Sequence, residues 1–551
     1  MENFNIKDKT KRLLRAAAYC LLLIPFGGWG TLTSCSKFLE EYSQDQYYVS
    51  SWKDLNELLI GSAYVTYEYQ VNPSSYGDSH IGSFIHFLAD EMGECTYGPS
   101  TGFDDMRALF GYYTWQQRPG LDETLSTTNT ENQTWTKCYY HINVCNNIIN
   151  CLDDIPTATE EEQLGYHKVN GEAHFIRGFL YFFLANVYGK PYNPATCETD
   201  LAVPIKTSPN VEDIKYSRNT VKEVYDQVLS DLEIARDELT LYTKAQPSVH
   251  RADSVAAFML SSRVYLYMQD WENCIKYADK VLARHADVKD LKNNAPGSFI
   301  TEDNPEIIFS MGSNDVERIC DYGAQNFAVP YTTYQIYDQY DYRRSQWFWN
   351  MGTFVGPTRL PDAVLDASYE VTYDRTSASY YNMQHYYNLY DYPALSAQFG
   401  LRSAEAYINK AEALAYLHRD EEARKVMNTF KQYRYETASQ YYSETASGEE
   451  LAEDIRLERR KEFFLEGHRW FDLRRYAVNT VYPKKTSIQH QYTVYKERGQ
   501  SEVLERKLYT LTEDDPSWTV PIPKEVLEFN EGMPDNGALW RTFENVPLND
   551  N

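Results

Sequence analysis

Three stretches of the chain gather residues able to hold a polar, ring-shaped ligand. Between 84 and 115 lie Asp90, Tyr97, Phe103, Asp104, Arg107, Tyr112, Tyr113 and Trp115. Tyr331, Tyr334, Trp347 and Trp349 fall between 331 and 349, and Tyr380, Tyr381, Asn382, Tyr386 and Tyr387 between 380 and 392. Sugar rings present C–H patches that pack on aromatic faces, while their hydroxyls need carboxylate, amide or guanidinium partners. Asp90, Tyr97, Phe103, Trp115, Tyr334, Trp347, Trp349 and Tyr381 are therefore the candidate ligand-binding residues, some three or four of them forming a platform. Any one aromatic alone is equally at home in a core. The reading rests on their clustering.

Catalytic and metal signatures are missing. The sequence has no GxxxxGK[ST], no HExxH and no CxxC pair. With 79 Asp and Glu, adjacent carboxylates such as Asp90-Glu91 and Glu421-Glu422 carry no information. Cys138, His141 and Cys145 share one face of a helix over 131–151, but no fourth ligand accompanies them. The two thiols are about 10.5 Å apart along the axis, too far for a disulfide, and core packing is the expectation. Arg459, Glu462, Glu466 and Arg469 are spaced three or four apart and can pair in series on a helix. Phe463, Phe464, Trp470 and Phe471 among them imply burial, where charges persist only when paired. A structural charge network, not a catalytic one, is predicted. No cofactor and no metal site are expected.

The elements that must position these residues are mainly helical. Helical periodicity runs through 51–69, 131–152, 160–188, 219–241, 252–269, 271–286, 402–417, 420–434 and 450–478. Ser254–Met268 with Trp271–Leu282, and Ser403–Leu417 with Asp420–Tyr433, are pairs separated by a few residues. Aligning Met268 with Leu417 sets Cys274 against Ala423, small residues where two helices cross, and puts Gln269 and His418 where a turn glycine usually sits. This is a degenerate tetratricopeptide pattern, and four such hairpins are predicted to form a scaffold. The stretches 72–130, 287–400 and 485–520 are rich in Tyr, Gly, Pro and Asn, with strand-like runs at Ile307–Ser310 and Tyr492–Tyr495. They are too long to be structureless and are where binding is expected.

The N-terminus reads as an address. Five basic residues in the first 15 precede an apolar stretch, Ala16 to Phe26, that is too short to span a bilayer. Leu32-Thr33-Ser34-Cys35 resembles the lipobox of bacterial lipoproteins, in which the Cys is acylated and becomes the first mature residue. A signal peptide over 1–34, a lipidated tether over 35–50 and one body over 51–551, with halves at about 51–286 and 287–551, are the expected divisions. Loss of residues 1–34 takes the formal net charge from −26 to −29. A chain this acidic repels phosphate backbones, so a nucleic-acid partner is not expected. The seven cysteines beyond Cys35 are odd in number and scattered, so no disulfide framework is read.

Seven further motifs, in order, resemble the SusD/RagB family of nutrient-uptake outer-membrane lipoproteins. They are Phe38-Leu39-Glu40 after the lipobox; Trp135 with Cys145-Asn146-Asn147-Ile148-Ile149; and Ala173 to Tyr188 with Gly189-Lys190-Pro191, where Gly178 replaces the usual Ala. Tyr337-Asp338 with Asp341-Tyr342-Arg343 and the Ala404-Glu405-Ala406 to Ala411-Glu412-Ala413 helix continue the series. Arg459 to Arg475 and Pro521-Ile522-Pro523 with Glu525 and Asn530 complete it, although the family's "QNPGY" ending departs to Asp535-Asn536-Gly537. The resemblance implies a SusD-like fold and a non-catalytic surface protein, lipid-anchored through Cys35 at the outer membrane. It also implies that oligosaccharide is captured and delivered to a SusC-like TonB-dependent barrel. A peptide or glycopeptide ligand on the same architecture, and an exported glycoside hydrolase, are the alternatives.

Overall fold

The computed structural model describes residues 49–65, 81–94, 103–128, 130–210, 212–293, 299–312, 327–355, 358–360, 378–382, 395–396, 398–496 and 503–548. The chain enters through α1 (Trp52–Leu58) and a π-helical turn over Leu59–Ala63, followed by α2 (Ile85–Leu88), β1 (Gly93–Glu94) and α3 (Phe103–Tyr113). A helical frame comes next: α4 (Gln133–Asn150), α5 (Glu160–Tyr188), α6 (Val221–Leu241), α7 (Ser254–Met268) and α8 (Trp271–Leu282). Short elements interrupt it: β2 (Ile307–Ser310), β3 (Phe327–Ala328), α9 (Tyr331–Tyr334), α10 (Tyr342–Gln346), β4 (Trp349–Val355), β5 (Thr358–Leu360), β6 (Ala378–Asn382) and β7 (Gly400–Arg402). The frame resumes with α11 (Ser403–Tyr416), α12 (Asp420–Lys431), α13 (Gly448–Glu462) and α14 (Arg469–Ala477). Strands β8 (Ile488–Tyr495) and β9 (Val503–Leu511), helix α15 (Lys524–Phe529) and β10 (Phe543–Val546) close the chain.

Local chemistry starts the frame helices where the sequence places them. Thr159 and Glu162, and Thr220 and Glu223, form capping boxes that satisfy the free N–H groups of α5 and α6. Asp253 and Asp270 cap α7 and α8. From Lys168 onward α5 is buried all round, so it is the core helix against which α4 and α6 pack. Gly171 permits the close approach of α6, since a Cβ there would lie 2.7 Å from Leu239 Cγ. At Gly178 a Cβ would come 3.2 Å from that of Asp231, whose carboxylate is held by His174 and Arg177.

The two tight hairpins, α7–α8 and α11–α12, are built alike. Gln269 (φ 64°) and His418 (φ 58°) both take the left-handed conformation at the turn, without the glycine that adopts it freely. Gln269 offsets that cost by donating to Val478 O (2.9 Å) and accepting from Thr480 N (2.8 Å), while His418 meets Tyr482 Oη at 3.3 Å. Both turns are thus pinned to the segment after α14. Cys274 and Ala423 are fully buried, and the Cys274 thiol lies 3.6 Å from Asn409 O, where α8 meets α11. The α5–α6 pair packs closely across a longer connection. Asn536 supplies the terminal contact: its amide donates to Tyr188 O (2.9 Å) and Val520 O (2.6 Å) and accepts from Arg218 (2.8 Å).

The strand-like run at Tyr492–Tyr495 is part of a longer element, and one expectation needs correction. β8 and β9 form a long antiparallel pair, with β10 on the other side of β9. Its alternation is hidden in the sequence because His490, Gln491 and Thr493 are buried polar residues. The stretch 450–478 is not one helix. It breaks after Glu462, and Leu465 (φ 56°) and Gly467 (φ 76°) turn the chain before α14 begins.

That break redirects the charges, which pair across the fold and not in series. Arg459 reaches Asp472 (2.9 Å), Glu466 reaches Arg402 (2.8 Å) and Arg469 reaches Asp90 (2.7 Å). Glu462 receives three guanidiniums: Arg402 at 2.6 Å, Arg434 at 2.8 Å and Arg343 at 2.9 Å. Burial alone raises its pKa, but Arg434, Arg402 and Arg343 outweigh that and hold the carboxyl at about 2. Because the folded-state pKa is depressed, this contribution is present above the ordinary carboxylate range and is lost as pH falls through about 4.5 to 2. Glu462→Gln leaves buried cations under-compensated. It is expected to cost about 3–5 kcal/mol at pH 7, read by chemical denaturation, with the deficit shrinking as the pH is lowered through that window.

Candidate functional site

The site is built on the short segment that joins α2 to β1. Main-chain and side-chain atoms of residues 88–91 are held from several directions. Leu88 O accepts from Trp115 Nε1 (3.0 Å), Ala89 O meets His490 Nε2 (2.9 Å), and Asp90 O accepts from Thr333 Oγ1 (3.2 Å). The Asp90 carboxylate takes Arg469 Nε (2.7 Å) and a guanidinium nitrogen of Arg460 (3.1 Å). Burial raises the Asp90 pKa, but Arg469 and Arg460 reverse this and carry it well below the usual carboxylate range. Asp90 and Arg460 remain open to solvent, their side chains 29% and 20% exposed.

Short elements gather round this segment. β1 pairs with β3, β3 leads into α9, and both β3 and α9 lie beside β6. β6 pairs in turn with β4, Trp349 opposite Asn382 and Asn350 opposite Tyr381. Tyr334 ends α9 half-buried, with the Arg344 guanidinium 4.6 Å over its ring and Arg344 Nε donating to its hydroxyl at 3.1 Å. Asp90 and Tyr334, with the backbone positions of Trp349 and Tyr381, therefore belong to one neighbourhood. A ring, a hydroxyl, a carboxylate and a guanidinium there can pack against and hydrogen-bond a polyhydroxylated ligand.

The remaining candidates fall elsewhere. Trp115 is 2% exposed and stacks on His490 at 4.4 Å, turned inward by its left-handed backbone (φ 51°). Trp347 is 1% exposed, 4.8 Å from the Phe299 ring and 5.8 Å from the Arg343 guanidinium. Both are core residues, and the expectation that they form part of a platform is corrected. Phe103 begins α3 and is placed by its backbone only. Tyr97 and Cys35 lie outside the described residues. His141 Nδ1 donates to a carbonyl of the π-helical turn, Ser62 O at 2.9 Å, and Cys138 and Cys145 are buried. Burial pushes the Cys145 thiol up to about 12.

Sequence reasoning missed Thr333, Arg460 and His490, which hold the segment in place. His490 is sandwiched between Tyr113 (4.2 Å) and Trp115 (4.4 Å), and its two nitrogens face Tyr113 O (2.7 Å) and Ala89 O (2.9 Å). Its signal was a histidine in a strand-forming run, which alone is silent about the partner.

Two family profiles match the chain in succession. One, described as "Starch-binding associating with outer membrane", matches residues 79–266, and the SusD family profile matches 321–540. Together they take in well over half of the chain, which belongs to the SusD-like family. No curated protein matches it. Solved structures share the fold. A putative sugar binding protein from Bacteroides vulgatus is 20% identical with a TM-score of 0.64, covering 90% of this chain and 100% of that one. A SusD superfamily protein from Bacteroides thetaiotaomicron is 21% identical (TM-score 0.63; 88% and 99% covered). Surface glycan-binding protein A from Bacteroides fluxus is 16% identical (TM-score 0.56; 90% and 99% covered). Among the described residues no helix is long and apolar enough to cross a membrane.

Next to Asp90, Glu91 is buried and accepts from Leu465 N at 3.3 Å. Burial pushes its carboxyl up to about 8. The unfolded chain ionises this group above about pH 4.5 while the fold keeps it neutral, so stability is lost as pH rises from there to about 8. Glu91→Gln, which keeps the shape of the neutral acid, is expected to stabilise the protein by about 2–3 kcal/mol at pH 7. Thermal melts at pH 4 and pH 7 check this, since the gain must vanish at the lower pH.

Proposed function

We propose that this protein is a non-catalytic, cell-surface lipoprotein that captures an oligosaccharide and passes it to a SusC-like TonB-dependent barrel. The observation that carries the reading is the convergence of α9, β4, β6 and the Asp90 segment in a chain of the SusD-like family. The profile description and the printed names of the solved relatives, a sugar binding protein and a surface glycan-binding protein, support a saccharide as ligand. Tyr334, Trp349 and Tyr381 supply aromatic faces for ring C–H groups, while Asp90 and Arg460 serve hydroxyls. Cys35 carries the lipid that tethers the body to the outer membrane, and more than one acyl chain is needed for stable anchoring. An open face desolvates little of its ligand, so the affinity is modest.

Titration of the purified protein with glycan and peptide panels tests the reading. Binding of a neutral oligosaccharide without turnover is expected, and Trp349→Ala or Tyr381→Ala should weaken it about tenfold, roughly 1.4 kcal/mol. Hydrolysis of a bound glycan, or binding of peptides alone, contradicts it. In the same cells Cys35→Ala should shift the protein from the membrane to the soluble fraction; unchanged retention refutes the anchor.

A further inference from the structure

A groove of about 700 Å³ lies between the chain following α5, the end of α14 and the loops at 513–519 and 535–537. It shares no lining residue with α9, β4, β6 or the Asp90 segment. Arg218 and Arg474 form part of it, each more than nine-tenths buried. Elsewhere buried arginines such as Arg177, Arg251, Arg263 and Arg475 each meet a carboxylate within 3 Å. Among the described residues these two pair with none. They donate instead to carbonyls around the C-terminal end of α5, Arg218 to Tyr188 O (3.0 Å) and Arg474 to Asn186 O and Gly189 O (2.5 Å). Burial lowers both guanidiniums to about 10.

Capping the end of a long helix accounts for those bonds. Among the described residues it leaves Arg474 Nε, a buried donor with no acceptor. Trp470 Nε1 is also unpartnered there, and Trp470 stacks at 4.9 Å on Trp518, which lines the groove. Unmet buried donors are uncommon in native folds and mark places where a further acceptor belongs. At the rim, Lys190 pairs with Asp200 (2.9 Å) and Lys485 with Asp514 (2.6 Å), so these charges are already compensated. Glu513 and Asp535 balance the two arginines in sign, and the remaining lining carboxylate, Asp515, is paired with Arg541 outside the lining (2.7 Å). The groove is thus rich in donors and acceptors, neutral in sum, and walled by an indole.

We propose that this groove is a second saccharide subsite, separate from the α9–β4–β6 face, and takes a short neutral oligosaccharide. Its volume falls in the range of small-ligand pockets. The ligand's hydroxyls accept from Lys485 and donate to Asp200 and Asp514, and its ring C–H face packs on Trp518. The class of ligand rests on the capture reading above; the groove itself does not. One helix joins the two sites. Arg469 in the first turn of α14 grips Asp90, while Arg474, about 7.5 Å further along the axis, lines the groove.

The test is calorimetric and fluorescence titration of the full-length protein with a panel of neutral oligosaccharides. It uses wild type, the face variant Trp349→Ala, and the groove variants Trp518→Leu and Lys485→Glu. Lys485→Glu touches only an exposed rim pair, so it keeps the test valid if Trp518→Leu unfolds. Two classes of site are expected, with the groove class weakened about fivefold by Lys485→Glu, the loss of one hydrogen-bonding group, and unaffected by Trp349→Ala. A single class abolished by Trp349→Ala and indifferent to both groove variants overturns the subsite and leaves the proposed function standing. A single class sensitive only to the groove variants supports the subsite and displaces the face. No binding by any glycan overturns both.

Discussion

A carboxylate with no access to water, Glu462, sits among three guanidiniums that arrive from distant parts of the chain. Arg343 comes from α10, Arg402 from β7 and Arg434 from the turn after α12. Glu306, just before β2, binds Arg402 (2.9 Å) and Arg434 (2.6 Å) from the other side. Desolvating so many charges is costly, and only mutual pairing with full hydrogen bonding makes it tolerable. Misplacing any one of these segments strands a buried ion. The cluster therefore acts as a register pin, specifying which segments meet as much as adding net stability. A second cluster, Arg459 with Asp472 and Arg475 with Asp472 and Glu412, does the same for α11, α13 and α14.

The short elements beside Asp90 inherit their position from this pin. Arg343 fixes α10, and Trp347 at the end of that helix is drawn inward over its guanidinium, which sets where β4 begins. On the other side, Glu462 is the last residue of α13. The turn that follows supplies Leu465 N to Glu91 and leads to Arg469, which holds Asp90. The same charges that resemble a catalytic cluster in sequence are thus buried scaffolding. Their chemistry is spent on geometry, and Asp90, Arg460 and Tyr334 stand partly exposed at the margin.

The frame was legible in the sequence because its signals are local. A capping box at Thr159–Glu162 and an apolar-rich run ending at Tyr188 define α5 without reference to anything else. The hairpin alignment of Gln269 with His418 foresaw two equivalent turns, and both residues take the left-handed backbone there. What could not be read depends on distant partners. The break after Glu462 runs through the left-handed Leu465 and Gly467, and what Glu462 meets there, Arg434 and Arg402, lies 28 and 60 residues away in sequence. Whether a tryptophan faces water or the core is likewise decided by tertiary neighbours: His490 covers Trp115 and Phe299 covers Trp347. Aromatic clustering in the sequence could not sort buried rings from half-buried ones. Tyr334 belongs with the Asp90 segment; Trp115 and Trp347 do not.

The central claim is that the short elements beside Asp90 bind the ligand while the helical frame only holds them. Hydrogen–deuterium exchange across the whole protein, with and without a bound oligosaccharide, addresses it segment by segment. The account predicts protection gained at 89–94, 331–334, 349–355 and 378–382, with α7, α8, α11 and α12 unchanged. Protection centred on those four frame helices, with none at the short elements, would contradict it.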